Sequence, residues 1–371
     1  MKFFSASSTT HAPRFNAVIC LAVLAVFILP RCPVVAQTIS TTDLLPIQTS
    51  TNSSKVVPIQ RPKKLLSRPL QSLANVAREQ SVRTRNGIGF RSINVRAQDE
   101  IWLVSARQKP QCELTMQRLV DGQWVPAAME ELTDAHAVDQ QRASVVYVHG
   151  NRTGDEYARS RGLQFYENVF NGESQSGPVR FVIFAWRSER EKIRPTSDYS
   201  VKLDRSVELG PTFANFLDQF QDRRIVLAGF SSGSQVILSG LAQLPSQVVS
   251  DKVGKFQVAL VTPALKAADA SNSVASLPLN STVAKTVVFI NRKDNAIRAA
   301  TLVAKATSMQ PAITLEQIAK QPTCEMVNPV FIEDITAQAT GCHSITKYSA
   351  RSTRIKMVLK EMTDEVRGFG H

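Results

Sequence analysis

The chain has 371 residues and a formal net charge of +13, with 44 Lys and Arg residues against 31 Asp and Glu residues. This excess does not indicate a nucleic-acid-binding protein, because residues 1–85 contribute +9 of it and residues 86–371 only +4. Residues 86–371 are long enough to form one α/β domain with a single core.

The first 36 residues have the layout of a signal peptide. Lys2 and Arg14 make the start of the chain basic. Residues 17–29 are an unbroken apolar run, and residues 34–36 form a small-residue cleavage site. The apolar run is short for a membrane span, so we expect cleavage after residue 36 and export to the periplasm or the medium. An uncleaved N-terminal anchor is the alternative.

Residues 37–85 are rich in Ser, Thr, Pro and Gln, a composition that buries too little apolar surface to offset chain entropy. We therefore predict a flexible basic tether in this range. Its basic part, residues 61–85, predicts weak contact with the cell envelope or a membrane surface, and a solvated linker is the alternative. We expect no specific nucleic-acid binding, because residues 61–85 contain no aromatic side chain to stack on bases.

Short apolar runs and helical patterns alternate along residues 86–371. A strand is predicted at residues 101–104, and a hairpin at residues 113–125 with its turn at Asp121-Gly122. Six later runs have the composition of parallel strands covered on both faces: 145–148, 181–184, 225–228, 258–261, 287–290 and 330–332. Helical spacing of apolar residues occurs at 213–220, 236–244 and 355–362. These patterns predict an α/β fold with a mostly parallel sheet, helices on both faces and an antiparallel N-terminal edge.

The stretch Gly229-Phe230-Ser231-Ser232-Gly233 has the G-x-S-x-G pattern between a predicted strand and a predicted helix. A serine that attacks acyl groups must project from a very sharp turn, and glycine leaves room on both sides of it. The pattern predicts Ser231 as the nucleophile and the backbone N–H of Ser232 as an oxyanion donor. An unreactive strand-to-helix turn is the alternative.

A nucleophilic serine needs a base, and the base needs an acid that orients it. Of the histidines outside the signal peptide, His343 follows the last predicted strand, where a base is expected. Asp294 directly follows the strand 287–290 and precedes His343 in the chain, so we predict it as the acid. Exposed loop residues without a catalytic role are the alternative. The competing acids are Asp269, Glu333 and Asp334.

The turn after the strand 145–148 predicts a second oxyanion donor. The sharp turn at residues 229–233 is called the elbow. Gly150 allows the chain to turn tightly beside it, so the N–H of Asn151 or of Arg152 can point to the same oxygen as the N–H of Ser232. His-Gly is a weak motif, and a simple turn at the end of a strand is the alternative.

Three cysteines lie beyond the signal peptide: Cys112, Cys324 and Cys342. In an exported protein one pair can form a disulfide. Cys324 and Cys342 are the nearest pair in the chain, and we expect them to join, although sequence alone leaves the other pairings open. No Cys/His spacing resembles a zinc site, so we predict no metal.

These motifs resemble the α/β-hydrolase superfamily and, within it, a bacterial branch of largely uncharacterised esterase/lipase-like proteins. The resemblance covers about residues 143–365. The segments that carry it are 148–151, 184–188, Tyr199 with Asp204, 229–233, 291–294 and 342–344. It implies the α/β-hydrolase fold for residues 86–371, with Ser231 as nucleophile, Asp294 as acid and His343 as base.

Two positions depart from the pattern of that branch. The branch usually has His-Ser-Met-Gly at the elbow, whereas this chain has Phe230 before Ser231 and a second serine after it. The branch also usually has Pro between Trp and Ser, whereas this chain has Arg187. The first change alters the floor of the pocket. The second predicts a solvated arginine, and a positive charge near the substrate entrance is the alternative.

The sequence therefore predicts an exported serine hydrolase that cleaves small-molecule or lipid carboxylic esters through an acyl-enzyme, with no cofactor. One alternative is a hydrolase-fold binding protein at the cell envelope that has no turnover. Another is a different acyl-transfer enzyme, such as a peptidase, a thioesterase or an acyltransferase, because fold and triad do not select the substrate. The candidate cap segments 264–285 and 307–328 do not reveal an acyl-chain length.

Overall fold

The computed structural model describes residues 80–86, 89–108, 113–133, 142–171, 177–191, 195–220, 224–244, 254–265, 282–297, 329–339 and 341–368. Element labels below number the described strands and helices in chain order. These ranges exclude residues 1–36, which are the predicted signal peptide, and residues 37–79 of the predicted tether. They also exclude Cys112, Cys324, the candidate cap segment 307–328 and most of the candidate cap segment 264–285. None of the helices within them combines the length and apolar character needed to cross a membrane.

A two-stranded antiparallel hairpin comes first. Strand β1 (Gln80–Asn86) pairs with strand β2 (Gly89–Val95). In β2, Ile93 and Val95 are buried and the residue between them is exposed, which is the period-two pattern of a strand with one covered face. The boundary predicted at residue 85, between tether and domain, therefore falls inside β1.

The main sheet has nine strands. They are β3 (Glu100–Ala106), β4 (Thr115–Val120), β5 (Gln123–Pro126), β6 (Ala143–Val148), β7 (Val179–Trp186), β8 (Ile225–Phe230), β9 (Phe256–Val261), β10 (Val283–Ile290) and β11 (Val330–Asp334). Their spatial order is β11-β10-β9-β8-β6-β7-β3-β4-β5. All neighbours from β11 to β3 are parallel, and β4 and β5 add an antiparallel edge. The sheet predicted from the apolar runs is confirmed.

The turn between β4 and β5 explains why the sequence predicts a hairpin here. Asp121 and Gly122 both have positive φ, at 47° and 79°. A two-residue turn of this kind matches the twist of the flanking strands, and Asp-Gly is one of its preferred sequences.

Helices cover both faces of the sheet. They are α1 (Met129–Thr133), α2 (Asp155–Phe170), α3 (Pro195–Glu208), α4 (Gly210–Asp218), α5 (Ser232–Leu241), α6 (Ile345–Arg351) and α7 (Thr353–Gly368). Helices α2, α6 and α7 bury their apolar residues in one core cluster, and α4 and α5 bury theirs in a second cluster across the sheet. Strands β6 and β8 contribute alternate residues to each cluster, so they are buried throughout.

The amino ends of the parallel strands hold a buried carboxylate. Asp99, just before β3, accepts hydrogen bonds from the Arg96 guanidinium at 2.7 Å, from the Tyr166 hydroxyl at 2.5 Å and from the Val179 backbone N–H at 2.9 Å. The Tyr166 oxygen in turn accepts from the Arg96 backbone N–H at 3.1 Å. These bonds fasten β3, β7 and α2 together at this edge of the sheet.

The carboxyl ends of β6, β8 and β10 lie at the opposite edge. Because these strands are parallel, the turns that follow them meet there. These turns contain Gly150, Ser231 and Asp294, three of the residues singled out in the sequence.

Candidate active site

Ser231 occupies the sharp turn between β8 and α5. Its φ of 53° and ψ of −125° are uncommon for a residue with a side chain, so the turn is strained, and the residue is 3% exposed. Its own peptide groups are fixed. The N–H donates to Val261 O at 3.1 Å, and the carbonyl accepts from the N–H groups of Ser234 and Ala264 at 3.0 and 3.1 Å. The contacts with the chain after β9 hold the strained turn in place.

The two glycines of the elbow are required by close backbone contacts. A Cβ on Gly229 would lie 2.8 Å from the Cα of Ser234. A Cβ on Gly233 would lie 2.6 Å from His149 O and closer still to Val148 O. Backbone atoms cannot move away as a flexible side chain can, so neither position tolerates a side chain.

The turn after β6 lies directly against the elbow. A Cβ on Gly150 would come within 2.9 Å of the Cβ of Ser231. Ser232 is the first residue of α5, so its N–H has no acceptor inside that helix. Within the described ranges, neither this N–H nor that of Asn151 donates to another residue. Two backbone donors are thus available beside Ser231.

Arg152 is not one of these donors. Its backbone N–H donates to Ser188 O at 2.6 Å and lies 2.7 Å from Asn151 Oδ1, which excludes it as the second oxyanion donor. Arg152 also has a positive φ of 57°, so the chain turns back at this residue. Its guanidinium lies 3.5 Å from the buried carboxylate of Asp198 on α3.

His343 and Asp294 form a short hydrogen bond. The distance from His343 Nδ1 to Asp294 Oδ2 is 2.6 Å. The aspartate side chain is fully buried, whereas the imidazole is 18% exposed. The other carboxylate oxygen, Oδ1, accepts from the backbone N–H groups of Ala296 and Ile297 at 3.0 and 3.1 Å. The carboxylate therefore has a fixed orientation toward the imidazole.

The surroundings keep Asp294 ionised. Burial raises the pKa of this carboxyl group, but the hydrogen bonds from His343 and Tyr348 and the nearby backbone N–H groups outweigh burial and hold the pKa below its ordinary value. An ionised carboxylate at Nδ1 requires a proton on that nitrogen. The second ring nitrogen, Nε2, is then free to accept a proton from a nucleophile.

Phe230 brings the imidazole to the elbow. Its ring stacks on that of His343, with centroids 4.8 Å apart and planes at 28°. Since Phe230 directly precedes Ser231, this contact places the loop of His343 against the elbow. The change from His to Phe that separates this chain from the related branch thus lies under the candidate base.

Tyr348 is a residue of this site that the sequence did not indicate. Its hydroxyl donates to Asp294 Oδ2 at 2.5 Å and accepts from Asn291 Nδ2 at 3.2 Å. Burial and the neighbouring Asp294 carboxylate both raise the pKa of Tyr348, so the hydroxyl keeps its proton. In the sequence this tyrosine stands in a short helical segment, where an aromatic residue indicates only core packing.

Tyr199, one of the residues that carry the resemblance, also lies near Asp294. Burial raises the pKa of this tyrosine, and the charge of Asp294 raises it further. Tyr199 belongs to α3, so this helix also lies near the carboxylate of Asp294.

Of the competing acids, the two that the structure describes pair with arginine side chains. Glu333 pairs with Arg354, and Asp334 pairs with Arg292 at 2.9 Å. Asp269 lies outside the described residues, as do His136 and His371.

His149 has a structural environment. Its Nδ1–H donates to Gly150 O at 2.9 Å, and its Nε2 accepts from the Trp186 backbone N–H at 3.2 Å. Burial, with a further contribution from the charge of Arg107, lowers the pKa of His149 to about 3. This imidazole is therefore neutral and joins the end of β7 to the turn after β6.

Arg187, the second departure from the branch, is paired. Its guanidinium lies 3.2 Å from Glu191 and 3.6 Å from Glu189, and its side chain is 31% exposed. Glu191 also binds Arg205 at 2.9 Å. The arginine thus belongs to an ion-pair network beside the site.

Cys342 is a free and exposed thiol. The disulfide expected with Cys324 is therefore wrong for this structure. The Sγ atom of Cys342 lies 3.5 Å from the ammonium group of Lys347 on α6, the helix that follows this loop. Among the described residues, no group of three or more His, Cys, Asp and Glu side chains is arranged to hold a metal ion.

A mostly parallel sheet with an antiparallel edge, and a strained serine between strand and helix at its carboxyl edge, define an α/β-hydrolase fold. Residues 126–356 match the family described as alpha/beta hydrolase of unknown function (DUF900). The match covers more than half of the chain, which therefore belongs to this family. Membership supports a hydrolase. A comparison with curated proteins found no match.

Proposed function

We propose that this protein is an exported serine hydrolase that cleaves carboxylic esters of small molecules or lipids. Ser231 is the nucleophile, His343 the general base and Asp294 the residue that orients the base. The backbone N–H groups of Ser232 and Asn151 form the oxyanion hole.

One observation carries this proposal: the hydrogen bond from His343 to the buried, ionised Asp294, on an imidazole stacked against the elbow of Ser231. A histidine that only served the fold would have both nitrogens engaged, as His149 has. His343 has one nitrogen fixed, and its partly exposed ring stacks on Phe230, the residue before the strained serine. This is the arrangement that general-base catalysis requires.

In the first half of the reaction, Nε2 of His343 removes the proton from the Ser231 hydroxyl as the oxygen attacks the acyl carbon. Negative charge develops on the acyl oxygen, where the N–H groups of Ser232 and Asn151 stabilise it. The histidine then gives its proton to the leaving alcohol, and an acyl-enzyme remains on Ser231.

In the second half, water attacks the acyl-enzyme and His343 again acts as base. Asp294 stays ionised throughout and stabilises the protonated imidazole. The carboxylate releases no proton in this cycle, which agrees with its lowered pKa.

Labelling with a fluorophosphonate probe tests the assignment of the nucleophile. We expect the wild-type protein to be labelled and the label to map to Ser231 by peptide mass spectrometry. Ser231→Ala should abolish labelling and reduce ester hydrolysis by at least about 10³-fold. Ser206→Ala is the matched control, because this buried hydroxyl donates only within its own helix, to Leu203 O at 2.7 Å.

The same assays separate the alternatives. A folded wild-type protein that takes no label and turns over no ester would favour the binding protein without turnover. Labelling of Ser231 without ester hydrolysis, but with activity on thioesters or peptides, would retain the nucleophile and change the substrate class. A series of acyl esters of increasing chain length, measured on wild type and Ser231→Ala, then defines the substrate.

Export is tested on the mature protein. N-terminal sequencing of protein recovered from the native host should begin at Gln37. An intact N-terminus in a membrane fraction would instead indicate the uncleaved anchor, without affecting the assignment of Ser231.

A further inference from the structure

We propose that Tyr348 is a positioning residue for the His343–Asp294 pair: it shares the Oδ2 atom of Asp294 with the imidazole and thereby limits the strength of the imidazole's hydrogen bond. The kinetic consequence of this role rests on the proposed function. The hydrogen bond itself does not, and it can be measured separately.

Both carboxylate oxygens of Asp294 accept two hydrogen bonds each. Oδ1 of Asp294 accepts two backbone N–H groups, from Ala296 and Ile297. Oδ2 accepts two further bonds, from His343 Nδ1 at 2.6 Å and from the Tyr348 hydroxyl at 2.5 Å. A carboxylate offers about four acceptor sites, and these four hydrogen bonds fill them. Tyr348 occupies the second acceptor site of Oδ2, beside the one that accepts from the imidazole.

The hydroxyl proton of Tyr348 has a defined direction. Asn291 Nδ2 has no lone pair and donates to the Tyr348 oxygen at 3.2 Å. The hydroxyl proton therefore points to Asp294, and the phenol acts as a donor to the carboxylate. Hydrogen bonds to an ionised acceptor are the strong ones, so this donor withdraws a substantial part of the charge on Oδ2.

Backbone hydrogen bonds also tie Tyr348 to the loop of His343. Tyr348 lies in α6, which begins two residues after His343, and its backbone N–H bonds to Ser344 O at 3.0 Å. The two loops are also joined through the backbone, from Asn295 N–H to Gly341 O at 3.1 Å. The tyrosine thus fixes the imidazole loop on the loop that carries the carboxylate.

Other titratable groups face this site from neighbouring elements and remain constant in the test. Tyr199 on α3 lies near the charge of Asp294, and Cys342 lies near Tyr348 on the histidine loop. Neither is altered by a substitution at residue 348.

The test compares Tyr348→Phe with Tyr166→Phe. The second variant is a close control, because Tyr166 also donates at 2.5 Å to a buried aspartate, Asp99, at the other edge of the sheet. The first readout is the proton NMR signal of the His343 Nδ1–H, identified by its loss in His343→Gln. We expect this signal to move downfield in Tyr348→Phe, since Oδ2 then accepts one side chain only, and to stay unchanged in Tyr166→Phe.

The second readout is the pH dependence of kcat/KM for an ester. We expect the midpoint of the acid limb to move to higher pH by roughly half a unit in Tyr348→Phe, because the carboxylate then stabilises the imidazolium more strongly. KM should remain within about twofold of wild type, since the hydroxyl is buried away from substrate. A purely structural tyrosine would change stability without moving either readout.

The outcomes keep the two proposals apart. An unchanged Nδ1–H signal and an unchanged acid limb in folded Tyr348→Phe would overturn the role of Tyr348 and leave the esterase proposal intact. A downfield shift in a protein that hydrolyses no ester would support the role and reject the esterase. If Tyr348→Phe does not fold, Asn291→Ala removes the donor that orients the hydroxyl, and a smaller shift in the same direction is then expected; no shift would reject the proposal.

Discussion

The two edges of the sheet hold two buried aspartates with nearly the same hydrogen-bond partners. Asp99 at the amino edge and Asp294 at the carboxyl edge each accept from a buried tyrosine hydroxyl at 2.5 Å. Each tyrosine oxygen in turn accepts one N–H, at 3.1 Å for Tyr166 and 3.2 Å for Tyr348. Each aspartate also accepts backbone N–H.

The difference is the third partner. Asp99 binds the guanidinium of Arg96, a permanent cation, whereas Asp294 binds the imidazole of His343, a side chain that can act as a base. A carboxylate with a permanent cation fastens strands and a helix together. The same carboxylate with an imidazole can respond when a proton moves. The third partner therefore distinguishes Asp99, which fastens the sheet, from Asp294, which belongs to a candidate catalytic pair.

The largest expected effect comes from Asp294→Asn. The amide presents an N–H to the imidazole and favours the wrong tautomer, so ester hydrolysis should fall by roughly 10⁴-fold per folded molecule. Initial rates on protein quantified as folded by circular dichroism measure this. A rate within tenfold of wild type would contradict the assigned role of Asp294.

Asp99→Asn should have the opposite profile. It removes the buried partner of Arg96, so the free energy of unfolding should decrease by about 3 kcal/mol, measured by urea unfolding. The rate per folded molecule should equal that of wild type. If this variant loses activity as Asp294→Asn does, the division between the two edges is wrong.

His149 extends the comparison to histidines. Its pKa of about 3 lies below the ordinary value near 6.5. Between pH 3 and pH 6.5, His149 is therefore protonated in the unfolded chain and neutral in the folded chain. Stability from this group is complete above pH about 6.5 and decreases by about 1.4 kcal/mol per unit as pH falls toward 3. We measure the free energy of unfolding in urea at several pH values between 7 and 4. It should decrease less steeply with falling pH in His149→Asn than in wild type.

Phe230→Leu should have the smallest effect. The leucine nearly fills the buried volume but removes the stacking on His343, an aromatic contact whose free energy is about 0.5–1.5 kcal/mol. We expect kcat to fall by roughly three- to tenfold with KM nearly unchanged. Steady-state kinetics on Phe230→Leu and on Phe184→Leu, a buried phenylalanine of the opposite core cluster, provide the comparison.

Much of the main sheet could be predicted from the sequence, because strands buried on both faces require continuous apolar runs. The predicted tether includes most of β1, because Val82 is the one apolar residue among Gln80–Asn86 and the strand therefore lacks an apolar run. The signal for a hairpin in such a stretch is Gly87-Ile88 between the paired residues Asn86 and Gly89, because two-residue turns with glycine first favour hairpins.

The candidate site was predictable where chemistry constrains residue type in a local pattern. The glycines beside Ser231 are required by backbone contacts, and Asp294 follows directly from the end of β10. Tyr348 was not predictable, because its contact with Asp294 spans 54 positions and depends on how α6 packs. The free thiol of Cys342 was also missed, since proximity in sequence says little about whether two sulfur atoms meet.

Gly233 also indicates how this scaffold can be redesigned. The absent side chain is what allows α5 to start against the carbonyl groups of Val148 and His149. A mutagenesis library for new substrates should therefore keep this glycine constant and diversify Arg152 and Arg187, whose partly exposed side chains flank the site. Screening effort would then go to variants that keep a reactive serine.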